Sequence, residues 1–270
     1  MLWFGQQQDT ATAMLVDFQE LARRMLADYD ARTPGQLFAE ARDLTTVQAY
    51  ALQAEIARLR EQRGEKVIGY KIGCASRAIQ QQLGIQEPIF GRIFDTGGFA
   101  SGVRLSHARF ANLAIEGELA VRLATNLSDS PRLDENDRDA IESIFPVIEL
   151  HDYRLSSSPP CCQELIARNG LHAGFVVGEP PHGGPSDRLR RLAILVNDRR
   201  IDESGEPWTM DGPIASLRWL AARLEKCGLR LSRGQVILTG SALPLYPVGP
   251  HSRVVVEAPP LGRSCVEIDS

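Results

Sequence analysis

The 270-residue chain has no apolar run approaching the ~18 residues that a membrane-spanning helix needs, so no membrane partner is expected. It has no surplus of basic residues either. Thirty Lys and Arg against 34 Asp and Glu leave a net charge of −4, which gives no electrostatic case for nucleic acid or an anionic membrane surface. Cysteine is sparse: Cys74, Cys161, Cys162, Cys227 and Cys265 are odd in number, scattered, and form no CxxC pair. That pattern argues against a disulfide framework and against a zinc site, and free thiols are expected. The opening MLWFGQQQDTATA lacks the basic start and apolar core of a secretory signal, so a cytoplasmic address is expected. No repeat or low-complexity tract is visible. What remains is an ordinary globular composition, 43% hydrophobic and 24% charged.

The chain divides by texture into a helical N-terminal part, 1–65, and a β-rich catalytic part, 66–270. The stretch 10–29 is rich in Ala, Leu and Met, with no Gly or Pro until Pro34-Gly35. Thr45 or Thr46 caps a second helix carrying Leu52, Ile56 and Leu59, which Gly64 terminates. Short β-type runs follow at 67–72, 114–123, 146–150, 174–178, 193–197, 236–240, 253–257 and 265–268. One helix interrupts them, with Ile214, Leu217, Ala221 and Leu224 as its apolar stripe, Pro213 in its first turn and Gly228 past its end. A second short helix is expected over 132–143. The strands do not alternate regularly with helices, which disfavours a Rossmann or barrel topology.

Two segments carry acids inside apolar runs. In AIEGELAVRL (114–123), strand geometry puts Glu116 and Glu118 on one face and Ile115, Gly117 and Leu119 on the other. A helix would splay the two acids by ~200°. In FPVIELHDYRL (145–155), the same alternation places Glu149 and His151 beside Phe145 and Val147. One reading is a wet sheet face with solvated acids. The other is a cluster of three carboxylates, each raising the others' pKa, that a divalent cation relieves. An all-oxygen ligand set favours Mg2+ or Mn2+ over zinc.

The runs GYKIGCASRAIQQQLGIQEPIFGRIFD (69–95), IEGELAV (115–121), VIELHDYR (147–154) and WLAARLEKCGLRLSRGQVILTGSALPLYPVGP (219–250) together extend the comparison over nearly the whole chain. In order and spacing they resemble the 2-oxopent-4-enoate hydratases. These are relatives of the 4-oxalocrotonate decarboxylases within the fumarylacetoacetate hydrolase superfamily. The resemblance implies an α+β fold, a mixed β-sheet roll with helices packed outside. It implies that Glu116, Glu118 and Glu149 hold a divalent metal, that Lys71 of GYKIG lies in the active site, and that Thr239 and Gly240 of ILTG meet the substrate. A homo-oligomer is implied as well. The chain departs from many hydratases at ARNGLHAG (167–174), where a DNAS-type segment is usual. In one register Asn169 matches the asparagine and Arg168 replaces the acid; in the other Asn169 replaces the acid. His172 stands nearby.

The implied substrate is a small 2-oxo or 2-hydroxydienoate acid. Lys71 would bind its carboxylate or transfer a proton, with a pKa lowered by the metal and by partial burial. His172 is a candidate general acid or base, Asn169 a candidate water-positioning group, and Arg92, with Asp95, a candidate at the entrance. His151 and Asp152 stand next to Glu149, either supporting the metal ligands or beginning a loop. The leading expectation is a hydratase of 2-hydroxypenta-2,4-dienoate-type substrates. A 4-oxalocrotonate-type decarboxylase is the alternative, with Arg168 or Arg92 meeting a distal carboxylate. A C–C hydrolase and a non-catalytic partner subunit complete the set.

Overall fold

The computed structural model describes residues 17–33, 44–127, 137–153, 155, 161–178, 191–204 and 211–270. The helices are α1 (Phe18–Ala31), α2 (Thr46–Gln62), α3 (Arg77–Leu83), α4 (Cys162–Ala167) and α5 (Asp211–Glu225). The strands begin with β1 (Val67–Gly73), β2 (Ile89–Phe94), β3 (Gly98–Ala100), β4 (Val103–Ser106), β5 (Leu113–Leu123), β6 (Ile141–Asp152) and β7 (His172–Val177). They continue with β8 (Ala193–Val196), β9 (Arg199–Glu203), β10 (Val236–Leu238), β11 (Tyr246–Pro247), β12 (Ser252–Glu257) and β13 (Arg263–Asp269).

The larger sheet runs β2-β1-β10-β5-β6-β7-β3, with β11 paired to β5; the smaller runs β4-β13-β12-β8-β9. Both are mixed. β1 pairs parallel to β10, and β13 parallel to β4, among antiparallel neighbours. The centre of the larger sheet is the long antiparallel β5–β6 ladder, in which Glu116 faces Glu149 across the strands. Each face of this ladder has its own core. Ile115, Leu119, Val121, Ile148 and Leu150 join Ile194, Val254, Val256 and Val266 of the smaller sheet. Ala120, Phe145 and Val147 join Ile93, Phe175, Val236 and Leu238 on the opposite face. A strand buried on both sides reads as a nearly continuous apolar run, which explains why the two acids stand out within it.

Gly117 explains the spacing of those acids. It points at the smaller sheet, where an added Cβ would lie 2.8 Å from Ile194 Cγ1 and 3.1 Å from Val256 Cγ2. Only a bare backbone lets the two sheets approach here. Gly117→Ala is therefore expected to destabilise the protein by roughly 1–3 kcal/mol through overpacking, measured by denaturant unfolding.

The N-terminal helices pack beside the larger sheet. Asp17 caps α1, and Thr45 caps α2 in a capping box with Gln48. Leu21, Ala22 and Met25 of α1 meet Leu52 of α2 and Ala167 of α4. Buried Gln53 then ties α2 to the sheet, its amide nitrogen donating to Phe90 O at 3.0 Å and Ile166 O at 2.7 Å. Tyr50 stacks on Phe90 with ring centroids 4.5 Å apart. No helix among the described residues is long and apolar enough to cross a membrane.

Three local expectations change. The helix expected over 132–143 is a 3-10 turn at Asp137–Ala140 followed directly by β6. Ile141 and Ile144 find cross-strand partners in Leu123 and Val121, and that pairing extends the strand backwards. Cys162, which follows SSSPP and from that composition reads as loop, opens α4. The run 236–240 leaves the ladder after Leu238, and Gly240 takes φ 93°. Residues 10–16, Pro34-Gly35 and 132–136 lie outside the described residues.

Candidate metal and substrate site

Four strands of the larger sheet carry charged or imidazole side chains to one place. β1 supplies Lys71, β5 supplies Glu116 and Glu118, β6 supplies Glu149 and His151, and β7 supplies His172. Strand register fixes their company: Glu116 pairs with Glu149, Glu118 stands diagonal to it, and His151 pairs with His172. Glycines make room for the lysine. A Cβ at Gly73 would lie 3.2 Å from Lys71 Nζ, and one at Gly170 3.4 Å from it.

Glu149 is the hub. Its side chain is fully buried, with Lys71 Nζ 3.2 Å and His172 Nδ1 2.7 Å from Oε1. His151 Nε2 lies 3.4 Å from Glu149 Oε2 and equally far from Glu116 Oε2, an ion-pair separation looser than a good hydrogen bond. Glu118 is also fully buried; its Oε2 accepts from Gly240 N–H at 3.2 Å.

The electrostatics follow from this crowding. Burial, then the neighbouring Glu149 and Glu116, push the Glu118 carboxyl well above the usual range. Burial also disfavours charge on Glu149, but Lys71, His151 and His172 outweigh it and hold its carboxyl well below normal. Burial pulls Lys71 down, yet the carboxylates of Glu149, Glu116 and Glu118 prevail and raise it above an ordinary lysine. Full enclosure among three acids stabilises the ammonium, the opposite of the effect that a bound dication would have on it. His151 is pushed up to about 9, because Glu149 and Glu116 overcome burial. His172 goes the other way, lowered chiefly by burial.

A divalent cation fits these residues. Donor atoms of Glu116, Glu149 and His151 lie within 4.8 Å of one another. Glu118 Oε1, Glu149 Oε2, both His151 ring nitrogens and His172 Nε2 are buried without a hydrogen-bond partner among the described residues. Such a concentration of orphaned polar atoms among carboxylates is costly unless a cation gathers them. Carboxylate oxygens with one imidazole suit Mg2+ or Mn2+.

A cavity of about 400 Å3 opens beside Lys71, Glu116 and His151. The other expected site residues are placed differently. Arg92 shares its strand face with Tyr70, opposite to Lys71, and its guanidinium donates to Gln53 Oε1 at 2.5 Å, so it is not presented to this cavity. Asn169 sits at φ 58° and uses its amide on the backbone of Arg92: Oδ1 accepts from Arg92 N–H at 2.6 Å, and Nδ2 donates to Arg92 O at 2.8 Å. It pins the turn before β7 to β2, which positions Gly170 and His172. Thr239 Oγ1 donates to Leu119 O at 2.9 Å, and Gly240 N–H serves Glu118. These two groups brace the acids, while Ser241, Leu243 and Leu245 line the cavity itself. The role of His151 was signalled in the sequence by its alternation with Glu149. The apolar wall from Ile79 and Leu165 carried no sequence signal, because nothing local links those residues to the acids.

No family model matches the chain. Among curated proteins it is similar to 2-hydroxyhexa-2,4-dienoate hydratase of Comamonas testosteroni, 30% identical over 232 residues, covering 83% of this chain and 86% of that protein. It is similar also to 2-oxo-hept-4-ene-1,7-dioate hydratase of Escherichia coli, 31% identical over 207 residues, 74% and 78% of the two chains. Among solved structures it superposes on 4-oxalocrotonate decarboxylase of Pseudomonas putida G7, complexed with magnesium and adipate, with a TM-score of 0.85 at 23% identity, covering 93% and 97%.

Proposed function

The chain belongs to the 2-oxopent-4-enoate hydratase family, and on that premise we propose that it is a metal-dependent hydro-lyase of the fumarylacetoacetate hydrolase superfamily. It adds water to 2-hydroxypenta-2,4-dienoate-type substrates and yields 4-hydroxy-2-oxo acids, in aromatic catabolism. The observation that carries this reading is the burial of Glu118, Glu149 and Lys71 in one cluster with Glu116 and His151 at the wall of a cavity. Buried charges on this scale are retained for paired, metal-binding or catalytic work.

In this reading Glu116, Glu118 and Glu149 hold Mg2+ or Mn2+, with His151 beside them. When bound, the ion supplies Lewis acidity at the 2-oxo end of the substrate and cancels repulsion among the carboxylates. Lys71 is the one lysine or arginine among the described cavity residues. It orients the substrate carboxylate or relays to C5 the proton that the enol hydroxyl gives up. Water then adds its oxygen to C4 and a hydrogen to C3. His172 lines the smaller cavity of about 60 Å3, and its Nδ1 is committed to Glu149, so its part is to hold Glu149 in place. Asn169 acts by holding the turn that presents His172; Thr239 and Gly240 act by fixing β10 and Glu118. Arg92 contributes its backbone to Asn169 and its guanidinium to Gln53, which couples the 1–65 helical part to the catalytic part. We read the protein as a cytoplasmic homo-oligomer, whose size sedimentation velocity would give.

Loss of the conjugated dienoate absorbance tests the activity. We expect Mg2+-dependent consumption of 2-hydroxypenta-2,4-dienoate, abolished by EDTA, with 4-hydroxy-2-oxopentanoate as product. Release of CO2 from 2-hydroxymuconate at a higher kcat/KM would assign the decarboxylase instead. Consumption undiminished after EDTA treatment would remove the metal from the reading.

A further inference from the structure

The cavity beside Lys71 is chemically one-sided. Its charged and imidazole groups, Lys71, Glu116 and His151, belong to the single cluster around Glu149. The remaining wall is largely aliphatic, with Ile79, Ile89, Leu165, Leu243 and Leu245. Its hydroxyls are already engaged: Ser76 Oγ accepts from Ile79 N–H, and Ser241 Oγ is tied to Gly117 O and Leu243. Ile79 is 42% exposed, a placement that leaves a large apolar side chain half in solvent at the cavity wall. The two arginines that a distal carboxylate would need are committed elsewhere. Arg92 lies on the other face of the sheet against Gln53, and Arg168 pairs with buried Glu164 at 2.8 Å beside a separate cavity of about 60 Å3. At about 400 Å3 the main cavity falls in the range of roughly 300–1,000 Å3 typical of drug-sized ligands, far larger than a pentadienoate requires.

Resting on the hydratase reading, we propose that this cavity selects 2-hydroxydienoates bearing an uncharged hydrocarbon group at the distal end and rejects their dicarboxylic congeners. A hydrocarbon tail leaves water for an apolar wall. A distal carboxylate would lose its hydration and find no cation along the aliphatic part of the described wall, since Lys71 and His151 belong to the cluster that meets the 2-oxo end, an unfavourable exchange. Both kinds of substrate occur in the names of the relatives, so the choice belongs to this chain's own wall.

The test is calorimetric binding of saturated 2-oxo acids to the full chain in the presence of Mg2+, with parallel turnover assays on the matching 2-hydroxydienoates. From 2-oxopentanoate to 2-oxooctanoate, affinity is expected to rise ~4-fold per methylene, equivalent to about 0.8 kcal/mol, until the cavity is filled. 2-Oxoadipate is expected to bind at least about 100-fold more weakly than 2-oxohexanoate. Ile79→Lys, a change at a half-exposed position, should narrow that gap to under about 10-fold. Equal or tighter binding of 2-oxoadipate, a flat response to chain length, or no binding of any 2-oxo acid would overturn the proposal. If dicarboxylate preference appeared and Arg168→Gln removed it, the tail would instead enter the smaller cavity. Should the binding order hold while no dienoate is hydrated, the hydratase reading falls and the cavity assignment stands. Hydration with the dicarboxylate preferred would overturn the cavity assignment and leave the hydratase reading in place.

Discussion

Replacing Glu149 with glutamine is expected to lower turnover by about 10²–10³-fold or more, with the far-ultraviolet circular dichroism of the native fold retained. The change preserves side-chain volume and removes the charge that Lys71, His172 and His151 share. In addition, the new amide turns an acceptor into a donor beside other donors. The fold survives because a second carboxylate is available. Burial and acidic neighbours push the Glu118 carboxyl well above the usual range, and loss of the Glu149 charge makes it easier to ionise and to partner Lys71. A Glu149→Gln enzyme within ~10-fold of wild-type rate, and still Mg2+-dependent, would remove this residue from the ligand set. Glu118→Gln makes the comparison sharper: a smaller change in metal-free stability than Glu149→Gln, because burial and acidic neighbours already disfavour its charged form, but a comparable loss of metal-dependent turnover.

Lys71→Met should produce the largest stability change. Lys71 and Glu149 are 2% and 0% exposed, so removing the ammonium strands a carboxylate in the interior. Breaking a buried pair in this way costs about 3–5 kcal/mol, and the metal-free variant should melt well below wild type. Saturating Mg2+ should recover much of that loss, because the dication supplies the missing positive charge and stabilises the native state by mass action. Turnover should stay low even with metal bound, since the substrate contact or proton relay is gone. The check is thermal unfolding of both proteins with and without Mg2+. Equal melting temperatures in EDTA, or a Mg2+ shift no larger in the variant than in wild type, would contradict the account.

Much of this site was legible in the sequence because strands have a period of two. Glu116 with Glu118, and Glu149 with His151, declare a shared face by alternation alone, and the pairing of Glu116 with Glu149 follows once β5 and β6 lie antiparallel. The family resemblance added Lys71, and the structure encloses it among those acids. What sequence could not convey was direction. Arg92 and Lys71 occupy adjacent strands, yet the β1–β2 register puts their side chains on opposite faces. Asn169, Thr239 and Gly240 lie close to the chemistry, but their polar groups are spent on Arg92, Leu119 and Glu118. Hydrogen-bond competition of that kind is settled by tertiary placement, which no local pattern encodes. The segment 132–143 shows the same limit from another side: its polar composition suggests a helix, while pairing to β5 makes its end a strand.

Anomalous diffraction from crystals of the full chain soaked in Mn2+ is the most direct measurement. A single strong peak is expected at the inner end of the cavity, roughly 2.0–2.3 Å from carboxylate oxygens of Glu116, Glu118 and Glu149. It should be absent in Glu149→Gln crystals treated identically. No peak there, or a peak bound only by other residues, would contradict the claim that these acids are gathered to hold a divalent ion.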